Sequence, residues 1–117
     1  MWEIEYTDEF EEWWNTLSEG LQIDITVTVD LLSQFGRNLQ FPYSSGIKNS
    51  HHSHLREFRI QHSGKPYRIF YAFDPRRVAL LLIGGGKSGK NRWYETMIPL
   101  VDKLYSRHLK ALELEEN

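Results

Sequence analysis

Residues 55–94 read LREFRIQHSGKPYRIFYAFDPRRVALLLIGGGKSGKNRWY, and this stretch decides the fold. Three apolar runs are separated by two turn sequences, HSGKP at 62–66 and DPRR at 74–77. Gly, Pro and Asp at these positions favour tight turns, so the pattern predicts a meander of three strands. The third run, VALLLI at 78–83, is almost wholly apolar, which predicts a central strand that is covered on both faces.

The N-terminal part of the chain predicts one strand and two helices. Trp2–Tyr6 alternates apolar and acidic residues, as a half-buried strand does. The capping sequence Thr-Asp follows, and it predicts a short helix from about Asp8 to Leu17. The segment LQIDITVTVDLLSQF at 21–35 fits both the alternation of a strand and the three-to-four spacing of a helix. Its length favours a helix that ends at Gly36.

A long connection at 36–54 precedes the meander and ends in His-His-Ser-His. Clustered histidines can bind a metal, but here no carboxylate or further histidine lies at a suitable spacing, so we expect no metal site. His54 remains a candidate phosphate contact because it adjoins the first basic strand. After the meander, a helical stripe predicts a terminal helix from about Ile98 to Leu112, since Pro99 is tolerated in a first turn.

Length and composition predict one domain, residues 1–117, in the cytoplasm. A chain of 117 residues can bury a single core, and it contains no cysteine for disulfides or thiolate metal sites. No apolar run approaches the roughly 18 residues that would span a bilayer. The N-terminus is acidic where a signal peptide would be basic.

Charge is strongly segregated along the chain. Residues 1–47 carry a net charge of −8, residues 48–92 carry +8, and residues 93–117 carry −2. A molecule with a net charge of −2 can therefore present one strongly positive face, and such a face attracts a polyanion. The alternative is that these charges only solvate the exposed sides of strands.

The run GGGKSGK at 84–90 invites comparison with a phosphate-binding P-loop. The spacing of that motif fails, because a leucine stands where its first glycine must be. The parallel βαβ surroundings are also missing. We expect instead that the glycines end the strand or let backbone amides approach a phosphate.

Four segments together resemble the RelE/ParE toxin superfamily, and the HigB-like, phage-derived branch most closely. They are LREFR at 55–59, YRIFYAF at 67–73, GKSGKNRWY at 86–94 and IPLVDKLY at 98–105. The resemblance covers nearly the whole chain and is strongest over residues 55–105.

The resemblance implies an α+β fold: a small twisted, mostly antiparallel sheet with two N-terminal helices packed on one face and a C-terminal helix, in the order β-α-α-β-β-β-α. It also implies the toxin of a type II toxin–antitoxin system. Ribonuclease members cleave messenger RNA on the ribosome by attack of the 2′-hydroxyl on the adjacent phosphate, without a metal or another cofactor. The expected partners are a helix-turn-helix antitoxin encoded beside the toxin, the ribosome and messenger RNA, and no membrane.

The resemblance also implies site residues. The expected catalytic residues are Arg59, Arg68, Lys87 and Tyr94. The expected contacts to RNA or the ribosome are His54, Arg56, Lys65, Tyr71, Lys90 and Arg92. Fixed cations would stabilise the charge that builds up on the phosphate, and a cationic surround would lower the pKa of Tyr94, which could then act as a base or stack on a nucleotide. Two positions depart from the family pattern: Ser88 stands where ribonuclease members often carry a cation, and Glu57 places an acid among the basic residues.

Two other functions fit the same segments. One is a non-catalytic toxin like the gyrase-inhibiting ParE branch, which acts by binding. The other is a degenerate module that binds only an antitoxin or RNA.

Overall fold

The computed structural model describes residues 1–52, 54–89 and 91–116, which form a five-stranded sheet with helices on both faces. The strands are β1 (Glu3–Tyr6), β2 (Ser44–Gly46), β3 (Arg56–His62), β4 (Lys65–Phe73) and β5 (Val78–Gly86), and the helices are α1 (Asp8–Trp14), α2 (Glu19–Phe35) and α3 (Asn91–Glu116). The order in the sheet is β1-β5-β4-β3-β2, with β1 parallel to β5 and the other pairs antiparallel. The predicted α+β fold and element order are confirmed, with β2 as an additional short strand.

Strand β5 lies between β1 and β4 and separates two apolar cores. Ala79 and Leu81 pack toward α1 and α2, whereas Leu80 and Leu82 pack toward α3. The prediction of a central strand covered on both faces is confirmed. Leu82 is also the site of a β-bulge, because the pairing with β4 shifts by one residue there.

The glycines of β5 continue the strand, so the prediction that they end it is wrong. A Cβ atom on Gly84 would lie 2.3 Å from the indole of Trp13 in α1, and one on Gly85 would lie 3.3 Å from that of Trp93 in α3. Two tryptophans therefore press onto the strand from opposite faces. Close packing of the two helices is therefore a physical reason for Gly84 and Gly85.

The N-terminal helices begin at hydroxyl caps. The hydroxyl of Thr7 accepts a hydrogen bond from the Phe10 amide and donates one to the Leu82 carbonyl, which ties α1 to the bulge of β5. Helix α1 ends at Trp14, three residues before the predicted end.

Helix α2 confirms the helical interpretation of the ambiguous segment at 21–35. It buries Leu21, Ile25 and Leu32, which recur at helical spacing, and leaves Ile23 and Val27 exposed. Length and one buried stripe therefore outweigh the β-branched alternation.

Helix α3 begins at Asn91, seven residues before the predicted start, and Pro99 lies inside it. A proline removes the hydrogen bond to the carbonyl four residues earlier, here that of Glu95. Both residues are exposed, so water can bind that carbonyl and the helix continues. The early start places Tyr94 in the first turn of α3. No helix of the described residues is long and apolar enough to cross a membrane.

A buried carboxylate fixes the far half of α3. The side chain of Asp74 is completely buried in the β4–β5 turn. It accepts hydrogen bonds from Arg76 and lies 3.0 Å from the Nε2 atom of His108 in α3. Arg76 also pairs with Glu5 of β1 at 2.9 Å. One network therefore joins a turn, the last helix and the edge strand.

We expect Gly84→Ala to lower the free energy of unfolding by about 1–3 kcal/mol, because the added methyl group would overlap Trp13 and force the helix away from the sheet. Urea unfolding measures the change. Gly86→Ala is the matched control in the same strand, because its Cβ would meet Tyr67 at an ordinary 3.5 Å. Equal stability of the two variants would contradict close packing as the reason for Gly84.

Candidate active site

Glu57 occupies the centre of a cluster on the face of the sheet that α3 covers. Its side chain is only 4% exposed. Along β3 the next residue on this face is Arg59, and Arg68 is the cross-strand partner of Arg59 on β4. The Nε atom of Arg68 lies 3.2 Å from Glu57 Oε1, and Nη1 of Arg59 lies 3.8 Å from the same oxygen. The alternation of two paired strands thus brings two cations to one carboxylate.

Helix α3 adds a phenol to the same oxygen. The hydroxyl of Tyr94 donates a 2.6 Å hydrogen bond to Glu57 Oε1. The ammonium of Lys87 lies 5.7 Å from the centre of the Tyr94 ring, within the range of a cation–π contact. The structure therefore brings together the four residues expected to be catalytic: Arg59, Arg68, Lys87 and Tyr94.

Arg68 is a fixed charge and not a mobile one. Its side chain is 6% exposed, and its Nη1 atom donates to the carbonyl of Tyr67 at 3.0 Å. Its Nε–H is not aimed at Glu57, so the 3.2 Å contact is an ion pair without hydrogen-bond geometry. Removing either partner would leave a buried charge unpaired, which typically costs 3–5 kcal/mol.

An open groove of about 330 Å³ gives solvent access to this cluster. Glu57, Arg59 and Tyr94 line it, together with Ser45, Gly46, Ile47, Lys48, Asn49, Asn91 and Ile98. Glu57 is the one carboxylate among these lining residues, and its Oε2 atom forms no hydrogen bond within the described parts of the chain. The groove thus presents a carboxylate oxygen and the half-exposed Arg59 side chain to a ligand.

The pKa of Tyr94 is raised above its ordinary value of 10. Burial is the main cause, the hydrogen bond and charge of Glu57 add to it, and Arg68 opposes it only in part. The expectation of a lowered pKa is wrong, because burial and the adjacent Glu57 carboxylate together outweigh the effect of Arg68. Tyr94 is therefore a neutral hydrogen-bond donor at physiological pH.

Tyr71 lies outside the groove, which corrects the expectation that it contacts RNA. It is fully buried on the opposite face, under α1 and α2, where it stacks on Phe58 and hydrogen-bonds with Ser44. Its position two residues after Ile69 on β4 puts it on the core face. The side chain therefore offers no surface to a polymer.

The other expected RNA contacts are dispersed around the sheet. Arg56 lies on the α1–α2 face, with its Nε atom 3.0 Å from Ser44 Oγ, and strand alternation puts Lys65 on the same face. His54 lies in an exposed turn before β3, and Arg92 is exposed in the first turn of α3. Lys90 lies outside the described residues.

The neighbouring histidines are tied to α3. The His51 amide donates to Asp102 at 3.0 Å, and the His52 ring lies 2.8 Å from the Ser106 hydroxyl. Among the residues that the structure describes, no group of three or more His, Asp or Glu side chains could hold a metal ion.

Sequence reasoning did not recognise two residues of the groove. Glu57 was treated as a departure, although its position two residues before Arg59 on a strand signals a shared face. Lys48 was not selected, because nothing in its loop sequence shows that β2 carries it to the groove.

The amino-acid sequence of this chain is similar to those of known proteins. The model of the family described as phage derived protein Gp49-like matches residues 12–106. HigB3 of Mycobacterium tuberculosis strain H37Rv, named as a toxin, is 35% identical over 96 residues, which are 81% of this chain and 82% of that protein. HigB2 of the same strain, also named as a toxin, is 29% identical over 108 residues, which are 91% of this chain but 54% of that protein. The chain thus spans about half the length of HigB2.

Solved structures share the fold at low identity. A chain in the crystal structure of the intact E. coli RelBE toxin–antitoxin complex superposes with a TM-score of 0.57 and 9% identity, covering 76% of this chain and all of that one. A chain in the archaeal RelE–RelB complex from Pyrococcus horikoshii OT3 superposes with a TM-score of 0.54 and 11% identity, covering 73% and 93%.

We expect the hydrogen bond from Tyr94 to Glu57 to make stability depend on pH in the alkaline range. Because the pKa in the folded state is raised, the contribution of the neutral phenol is complete below about pH 10 and is lost as the pH rises through the raised pKa. The free energy of unfolding of the wild type minus that of Tyr94→Phe should therefore stay constant from about pH 8 to pH 9 and fall as the pH rises above about 10. Urea unfolding across that range measures it, with Tyr6→Phe at an exposed tyrosine as the control for general alkaline effects. A difference for Tyr94→Phe that grows with pH would refute the assignment.

Proposed function

The chain belongs to the Gp49-like family of phage-derived proteins and is of the RelE/HigB type, and from this premise we propose that it is a type II toxin that cleaves messenger RNA on the ribosome. One observation carries the nuclease part of the proposal. A carboxylate, a neutral phenol and the half-exposed Arg59 line one open groove, with Arg68 buried against the carboxylate and Lys87 beside the phenol ring. That set suits acid–base cleavage of a phosphodiester.

In the proposed reaction the 2′-oxygen attacks the adjacent phosphorus, and the bond to the 5′-oxygen of the next nucleotide breaks. The products are a 2′,3′-cyclic phosphate and a 5′-oxygen that leaves as an alkoxide and takes a proton from water to become a 5′-hydroxyl. The free Oε2 atom of Glu57 accepts the proton of the 2′-hydroxyl. General-base help of this kind contributes about 10²–10⁴-fold to a rate.

The cations have different parts in this scheme. Arg59 and Lys87, which are partly exposed, stabilise the negative charge on the non-bridging oxygens. Arg68 is buried beneath them and holds the Glu57 carboxylate in place. Tyr94 donates to Oε1, which leaves Oε2 free to accept the proton. With the charge supplied by side chains, the scheme includes no metal or other cofactor.

The proposed partners follow from the same premise. Two solved structures that share this fold are chains of toxin–antitoxin complexes, which supports an antitoxin for this chain as well. We propose a helix-turn-helix antitoxin, encoded next to the toxin, that covers part of the groove. The substrate complex is the translating ribosome with its messenger RNA, which requires the protein to act in the cytoplasm.

We expect ribosome-dependent cuts in a translation reaction that is followed by primer extension. Glu57→Gln and Arg59→Gln should each lower the cleavage rate by about 10²–10³-fold, since each removes a group that acts on the transition state. Lys110→Gln is the matched control, because it removes one positive charge from an exposed position of α3. Arg68→Ala is a poorer test than Glu57→Gln, because it removes a buried side chain as well as its charge, whereas glutamine keeps the size of Glu57 and can still accept from Tyr94.

Two outcomes would overturn the nuclease. One is the absence of cuts by the wild-type protein together with gyrase–DNA adducts, which would establish the ParE-like alternative. The other is equal cleavage by Glu57→Gln, Arg59→Gln and the Lys110→Gln control. Thermal unfolding of each variant confirms that a loss of activity is not a loss of fold.

We expect the antitoxin to protect lysines at the groove from acetylation. Lys48 lines the groove and Lys87 lies beside Tyr94, whereas Lys103 and Lys110 are exposed on α3. Mass spectrometry of the acetylated complex and of the free toxin compares the four positions. Lower modification at Lys48 and Lys87 alone is the expected result. Equal modification in the two samples would show that the antitoxin acts without covering the groove.

A further inference from the structure

The arginines of this protein divide into paired and unpaired groups. Arg59, Arg68, Arg76 and Arg107 are each in ion-pair contact with a carboxylate. Within the described ranges, Arg37, Arg56, Arg77 and Arg92 have no such contact. Arg37, Arg56 and Arg77 approach the same end of the sheet, where β4 ends and β3 begins. Unpaired cations that are gathered in one place leave their charge available to an external anion.

Aromatic rings, rather than acids, hold two of these cations. The guanidinium carbon of Arg37 lies 4.9 Å from the ring centre of Phe73 and 5.7 Å from that of Trp2. The guanidinium carbon of Arg77 lies 5.1 Å from the Trp2 ring. Contacts with ring faces orient a guanidinium group without neutralising it. Arg37 is also the one basic residue in the first 47 positions, and the turn after α2 carries it to this end.

A cavity of about 260 Å³ lies beside Arg37 and Phe73. Arg37, His54 and Arg56 provide its basic lining, and Gly46, Ile47, Leu55 and Phe73 complete it. We call this cavity the arginine pocket. No carboxylate lines it in the part of the chain that the structure describes. Ser44 orients Arg56 through a 3.0 Å contact with Nε, which leaves the two terminal nitrogens of the guanidinium for a ligand.

The arginine pocket adjoins the groove of Glu57. Gly46 and Ile47 line both cavities, so only the edge strand β2 and the residue after it separate them. Arg56 and Glu57 are also consecutive on β3, with their side chains on opposite faces. A nucleic-acid strand that enters the groove can therefore continue around this edge into the arginine pocket.

The backbone at Arg77 supports a role for its side chain. Its φ angle is +67°, in the left-handed region where glycine is favoured and where other residues are strained. A glycine would form the same turn with less strain, but it would remove the cation beside Trp2.

We propose that the arginine pocket binds a phosphate group of the RNA strand whose scissile bond lies in the groove, with Arg77 as a flanking contact. That the bound strand is RNA rests on the proposed function of the groove. Two arginines and a histidine around one cavity match the several acceptor oxygens of a phosphate better than they match a planar carboxylate. The shared wall with the groove favours a nucleic acid over a separate acidic peptide.

Binding of a single-stranded RNA of roughly ten nucleotides tests the pocket without the ribosome. The probe carries 2′-O-methyl groups throughout, so it cannot be cleaved, and fluorescence anisotropy gives its affinity at several salt concentrations. Arg37→Gln should weaken binding roughly tenfold and reduce the slope of log affinity against log salt by about 0.7. Arg37→Lys should retain most of the slope, and Lys110→Gln should match the wild type.

Arg77→Gly separates binding from folding. It relieves the left-handed strain, so the midpoint of urea unfolding should stay constant or rise while the affinity for RNA falls. Ser63→Gly is its matched control, because Ser63 is also left-handed, with φ +51°, but carries no charge. That variant should show the same change in stability and no change in affinity.

Three results would overturn the inference. The first is that Arg37→Gln and Arg77→Gly bind the RNA with the wild-type affinity and salt slope. The second is that a glutamate decapeptide binds better than RNA and loses affinity in these two variants, which would assign the pocket to an acidic protein partner. The third is that the loss of RNA affinity in Arg37→Gln is matched by Lys110→Gln. Because the probe is uncleavable, a failure of the nuclease proposal would leave these readouts unaffected.

Discussion

The arrangement of the candidate active site depends on the carboxylate of Glu57. A charge that is 4% exposed must be paired, and Glu57 receives its partners from three elements. Arg68 comes from β4, Arg59 from β3 itself, and Tyr94 from α3. One oxygen therefore fixes the first turn of the last helix against the sheet, and it does so inside the groove that presents the second oxygen to solvent.

Helix α3 is held at two points by different chemistry. Near its start Tyr94 bonds to Glu57, and farther along His108 lies against the buried Asp74. Next to Tyr94, Trp93 rests on Gly85 of β5, where a side chain would hold the helix away. The glycines that resemble a phosphate-binding loop thus affect the candidate site indirectly, through the packing of α3. They set the distance between helix and sheet that brings the phenol within reach of the carboxylate.

The strands were predictable because their signals are local: turn residues, alternation, and one long apolar run. The pairing of Arg59 with Arg68 follows from the same alternation. Three other features could not be predicted from local sequence signals. Strand β2 is too short to show a period, and Pro99 concealed the true start of α3. The direction of the Tyr94 pKa shift depends on burial of the phenol and on an acid 37 positions earlier. The expectation that Tyr71 contacts RNA was wrong for another reason. Its polar hydroxyl suggested an exposed contact residue, although the apolar residues around it on β4 place the side chain in the core.

The segregation of charge along the sequence overstates the positive charge that the folded protein presents to a ligand. The segment at 48–92 carries +8, but Arg59, Arg68 and Arg76 are paired with acids in the folded protein. Alternation also sends consecutive strand residues to opposite faces, so the cations do not form the single positive face that the sequence suggests. They are joined instead at the β2 edge, where the groove and the arginine pocket share a wall. A polyanion that contacts both sets must pass around this edge, which makes the short strand β2 the point where the two faces can act on one substrate.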